Sequence, residues 1–122
     1  MRLAVLLAVV CGLSVAAGSP ETVMITYQAK PGAEAALAHA IERHWATARE
    51  QKLVLESPHV TLRGVEDDGR VYFVDVFAWR DAATPDAAPK SIQAIWAEMN
   101  GATETRGGKP GILIQRVSVV SR

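Results

Sequence analysis

A single carboxylate, Asp75, interrupts the strongly apolar run Arg70–Trp79, RVYFVDVFAW. An ionised carboxyl group among Phe73, Val74, Val76 and Phe77 is costly to bury unless it is paired or hydrogen-bonded. The turn before the run decides which partners reach it. With Asp67-Asp68-Gly69 as a three-residue loop and Gly69 in the left-handed conformation, Glu66 opposes Arg70 and Thr61 opposes Asp75. His59 and Arg63 then lie diagonally on the same face. With a two-residue Asp68-Gly69 turn the pairing slips by one, and Asp75 shares its face with Val60 and Leu62. The first register gives the charge a partner and is the expected one. It yields a polar cluster, His59–Arg63–Asp75, at a pocket floor or a seam between subunits. A cluster of this kind can supply a base and a cation that steadies an anion. It can equally be a structural ion pair, because such networks also occur without catalysis.

His44 is the third candidate base, and it falls on the apolar stripe Leu37, Ile41, His44 and Ala48. Facing a sheet, it could act as a base or a haem-type ligand. The plainer reading is a core histidine with a satisfied hydrogen bond. His39 lies off the stripe and is expected to be exposed. Three histidines with no HxH spacing argue against a dedicated metal site. Trp45, Trp79 and Trp96 could line a pocket for a flat organic substrate. Core packing is the better account of Trp96, which sits in the stripe Ile92, Ile95, Trp96 and Met99. Trp79, where its strand ends, is freer to line an opening, and with Phe73 and Arg63 it forms the expected substrate-contacting set. There is no GxSxG context and no Gly-rich phosphate loop.

The elements that must position these groups follow from pattern and punctuation. Thr22–Gln28 is β-rich, and Pro31-Gly32 ends it and opens a helix across Ala33–Gln51. After Leu53-Val54-Leu55 and Ser57-Pro58, His59–Val65 reads as a second strand, hairpin-linked to a third at Arg70–Trp79. Asp81–Pro89 reads as a loop and Lys90–Asn100 as a second helix stopped at Asn100-Gly101. Thr103–Gly108 is expected to be an exposed loop, and Ile112–Val120 the last strand. The order strand, helix, strand, strand, helix, strand is that of a ferredoxin-like α+β fold, a four-stranded antiparallel sheet with both helices on one face. The third and fourth strands are apolar on the other face too. Left open, such a patch is an aggregation liability, and a two-fold pairing of sheets removes it.

At 122 residues, about half of them apolar, the chain makes one domain. Thirteen basic residues balance thirteen acidic ones, which argues against a nucleic-acid surface. Met1-Arg2 followed by the apolar and small run Leu3–Ala17 reads as a secretory signal peptide over residues 1–18, with the domain at 19–122. The run is short for a membrane span, so a secreted or periplasmic product without stable membrane insertion is expected. Cys11, the single cysteine, falls inside that segment, leaving the mature chain no thiol chemistry.

The element order, the PGAEAAL helix entry followed by HW, the strand YFVDVFAW and the helix IWAEM together resemble the antibiotic biosynthesis monooxygenase (ABM) domain, over about Thr22 to Val120. The resemblance implies a dimeric α/β barrel, a homodimer through the sheet face. It also implies a small-molecule ligand, aromatic or polyketide-like. Its quinone-forming members oxidise such molecules with no metal or bound cofactor. Its haem-degrading members carry an Asn on the first strand and an iron-ligating His on the second long helix. Here the strand reads TVMITYQ and Lys90–Asn100 holds no His, so haem is disfavoured. The expectation is a cofactor-independent monooxygenase with His59, Asp75 or His44 as base and Arg63 steadying an anion. The alternative is a ligand-binding or structural dimer of the same fold.

Overall fold

The computed structural model describes residues 18–121. The expected leader, apart from Gly18, lies outside the described residues, as does Cys11. Strand β1 spans Glu21–Gln28 and helix α1 Glu34–Glu50; β2 spans Val54–Val65 and β3 Val71–Trp79. A 3-10 turn at Thr84–Ala87 precedes helix α2, Lys90–Gly101, and strand β4 is Ile112–Arg116. The sheet order is β2-β3-β1-β4 with every pairing antiparallel, the ferredoxin-like α+β arrangement. No helix among the described residues is long and apolar enough to cross a membrane.

Alternation along the strands fixes what faces the helices. Val23, Ile25 and Tyr27 of β1 and Val71, Phe73, Asp75, Phe77 and Trp79 of β3 are buried against them. Helix α1 answers with Leu37, Ala40, Ile41, His44 and Ala48, and α2 with Ile92, Ile95 and Met99. Burial of each large aliphatic side chain here contributes about 1.5–3 kcal/mol. The opposite face carries Met24 and Val76, paired with each other, together with Val74 and Leu113, all half-buried. Val60 and Leu62, which pair with Val76 and Val74, are exposed beside them.

The β2–β3 hairpin takes the three-residue form. Val65 pairs with Val71, the Glu66 amide donates to the Arg70 carbonyl, and Gly69 has φ +86°, so Thr61 stands opposite Asp75. Three boundaries differ from the sequence expectation. β2 begins at Val54 and runs through Pro58, with the ladder broken between Val54 and His59 where proline has no N–H to give. β4 stops at Arg116, because its partner β1 begins at Glu21: after the Val117 amide donates to the Thr22 carbonyl, little strand is left to pair. The open-face share of β4 is therefore Leu113 and Gln115. The segment Thr103–Gly108 is not a wholly exposed loop: Thr103 and Arg106 are buried. The Arg106 guanidinium bonds Glu66 at 2.6 Å, Glu104 at 2.9 Å and the Ala29 carbonyl, which draws the segment onto the end of β1.

Candidate functional site

Two neighbourhoods share the helix-covered face of the sheet, one on each side of β3. On the β2 side, Asp75 is fully buried at the centre of its strand. Its Oδ1 accepts a 2.7 Å hydrogen bond from the Thr61 hydroxyl, and His59 Nε2 lies 3.4 Å away. Oδ2 has no hydrogen-bond partner among the described residues. Burial pushes the carboxyl above the usual carboxylate range, while the Thr61 bond and His59 oppose the shift. The His59 side chain is 27% exposed and its ring stacks on Trp45, centroids 3.8 Å apart at 8°. The turn that sets the register thus brings His59 and Asp75 together. Arg63 does not join them: it is exposed and makes no ion pair among the described residues. On the edge strand its long side chain keeps its charge in water rather than in the core.

His44 sits deeper, 2% exposed, among Phe77, Trp79 and Trp96. Its Nε2 accepts a 2.9 Å hydrogen bond from the Trp96 indole. Burial lowers its pKa to about 4, so the ring is neutral at neutral pH. A haem iron would have to displace the indole to use that lone pair, so the residues present do not fit a haem held at Nε2. No group of three or more His, Cys, Asp or Glu able to hold a metal occurs among the described residues.

On the β1 side a cleft of about 430 Å³ opens between the sheet and α2. Its floor is Val23, Ile25 and Tyr27 of β1 with Ile112 and Ile114 of β4. Trp79, Trp96 and Met99 form the inner wall, and Ala97, Asn100, Pro85 and Glu21 the rim. The surface is mainly apolar with three polar groups, the composition of a small-molecule pocket. Of the residues expected to do chemistry, Trp79 lines it. His44, His59, Asp75, Arg63 and Phe73 do not. Phe73 is buried in the core.

Tyr27 and Asn100 are cleft residues that no sequence signal singled out, and Trp96, expected to pack in the core, forms part of the cleft wall as well. Tyr27 occupies an inward position of β1, and Trp96 and Asn100 stand four apart on one face of α2, spacing that was visible. What they enclose was not, because it depends on how far α2 stands off β4. Burial, with the Asp75 carboxylate a lesser contributor, holds the Tyr27 phenol far above its ordinary pKa, so it stays protonated and is able to donate.

No family model matches the chain, and no curated protein matches it by sequence. Solved structures do. The fold is that of the antibiotic biosynthesis monooxygenases. One such crystal structure is 17% identical, with the match covering 83% of this chain and 99% of that one at a TM-score of 0.61. SnoaB, a cofactor-independent oxygenase from Streptomyces nogalater, is 14% identical over 86% of this chain and 97% of its own, TM-score 0.61. A dimeric ferredoxin-like protein of unknown function from a Jannaschia species is 18% identical over 83% of this chain and 100% of its own, TM-score 0.56. At these identities the likeness to the ABM structures is one of fold.

Proposed function

We propose that this protein is a cofactor-independent monooxygenase of the ABM fold, exported and dimeric, acting on a small flat aromatic or polyketide-like molecule. The cleft carries the reading: an apolar slot of about 430 Å³ with tryptophan walls and a phenol on its floor, in a fold it has in common with SnoaB, itself a cofactor-independent oxygenase. Trp79 and Trp96 offer faces for aromatic rings to stack on. Tyr27 donates to an oxygen on which negative charge develops, and Asn100 at the rim can orient a second polar group. His44 acts through Trp96, holding the indole that forms the wall.

In the simplest reaction of this type an activated methylene between aryl rings loses both hydrogens. Dioxygen delivers one atom to that carbon as a carbonyl and leaves the other as water. The substrate supplies all four electrons. The support for export is the leader-like run Leu3–Ala17. For dimerisation it is the open apolar face of Met24, Val60, Leu62, Val74 and Val76. The dimeric Jannaschia neighbour is consistent with the same assembly.

A second reading, a ligand-binding dimer without catalysis, draws on one observation: none of the three expected bases lines the cleft. Oxygen uptake against a panel of anthrones and hydroquinones separates the two. The oxygenase reading predicts one dioxygen consumed per anthrone. Ala97→Trp, which sends an indole into the cleft from the exposed side of α2, should lose uptake about tenfold or more. Binding with no uptake on any substrate would leave the second reading standing.

A further inference from the structure

The cleft is long rather than round. Glu21, Val23, Ile25 and Tyr27 all line it, successive inward positions of β1, so it follows the strand for about 20 Å. Spread over that length, a volume of about 430 Å³ leaves a section of about 20 Å², the width of one hydrocarbon chain or of a flat ring system entering end-on. The two ends differ. Tyr27 pairs with Ile112, and the Lys30 amide donates to the Ala102 carbonyl just beyond α2, so Met99 and Asn100 stand at the Tyr27 end. At the other end Glu21 pairs with Trp79, and its carboxylate lies 3.4 Å from Arg116, so that charge is met at the rim. Between them the floor is aliphatic, Val23 and Ile25. Ile114, level with buried Ile25 on the same face, is 62% exposed, because α2 stands off β4 there. The Trp96 N–H is already engaged by His44, so that wall presents its ring.

A flat nucleus held at Tyr27 and Asn100 against Trp96 fills only part of this length. From Ile25 to Glu21 about 13 Å of apolar lane remains, the reach of an extended chain of about ten carbons. Resting on the reading of the cleft as the substrate site, we propose that the substrate is an aromatic nucleus bearing a linear alkyl or prenyl tail. The nucleus lies at the Tyr27 end, and the tail runs past Ile114 and Val23 toward Glu21. A hydrocarbon tail asks for no polar contact and covers the exposed Ile114 side chain. A polar substituent halfway along the lane loses its water against Val23 and Ile25 without a new partner on that floor, a cost that selects against it.

A series of 2-n-alkyl-1,4-naphthoquinones from methyl to tetradecyl measures the lane, titrated by quenching of tryptophan fluorescence at concentrations where each stays monomeric. Affinity should climb about two- to fourfold per added carbon and level off near about ten carbons. Glu21→Trp puts an indole at the far end of the lane, from a half-buried position at the start of β1 that leaves the core intact. With far-ultraviolet circular dichroism unchanged, its affinities should level off several carbons earlier. An affinity indifferent to chain length overturns the tail, while binding of the methyl homologue still upholds the ring site. A climb that never levels off, or that levels at the same length in Glu21→Trp, marks general hydrophobic adsorption and overturns the tail as well. If no homologue binds, the cleft reading falls and the tail with it.

Discussion

At the scale of single residues, burial writes itself into pH dependence with opposite signs at two buried groups. The His44 pKa falls from 6.5 to about 4, so the folded protein holds that proton less tightly than the unfolded chain does. The stability involved is fully present above pH 6.5 and is lost as pH drops toward 4, up to about 3 kcal/mol. In His44→Gln, whose amide oxygen can still accept from Trp96, urea unfolding should show a flatter loss between pH 7 and 4. Asp75 runs the other way. Its folded pKa is raised, so the stability tied to it is complete below the ordinary carboxylate value and fades as pH climbs through the raised one. Asp75→Asn abolishes that fade, so its Tm relative to the wild type should be better at pH 8 than at pH 4. A Tm difference constant across that range would contradict a buried, titrating carboxylate. Much of this was legible in the sequence: a three-residue turn and simple alternation place Thr61 opposite Asp75 and His59 beside it. The position of Arg63 was not, since a flexible edge-strand side chain follows water rather than register.

Elements show a different division between what pattern reveals and what assembly adds. The stripe Leu37, Ile41, His44 and Ala48 is fully buried along α1, as its spacing requires. Hairpin geometry is equally local. Gly69 has φ +86° and open space where a Cβ would go, so Gly69→Ala should cost about 1 kcal/mol from backbone strain alone. Gly64 differs: a Cβ there would meet the Tyr72 ring at 2.2 Å, so Gly64→Ala must displace that ring and cost more. Chemical denaturation of both variants checks the order. The segment at Arg106 was illegible because its partners, Glu66 and Ala29, are distant in sequence and meet it only in the folded chain. Arg106→Met strands the Ala29 carbonyl and should destabilise by about 2–3 kcal/mol. The early end of β4 has a comparable origin. The residues Val117, Val119 and Val120 have the composition of a strand, but an apolar run cannot extend a ladder once β1 has no residues left to pair.

For the whole molecule, the two faces of the sheet have separate fates. One is closed by α1 and α2, and the other keeps Val60 at 43% and Leu62 at 55% exposure beside half-buried Met24, Val74 and Val76. A second copy packed across a two-fold axis is the proposed cover. Light scattering should report a dimer at micromolar concentration, and Leu62→Lys combined with Val74→Lys should yield a folded monomer by circular dichroism. A monomeric wild type would contradict that assembly. The cleft lies on the opposite, helix-covered side, so ligand and partner engage different surfaces of one sheet. Methyl-resolved NMR of protein labelled at Ile, Leu, Val and Met, titrated with anthraquinone, tests that separation and the site together. The account predicts shifts at Ile25, Met99, Ile112 and Ile114, which line the cleft. Shifts confined to Val60, Leu62 and Val74, or none at saturating ligand, would contradict it.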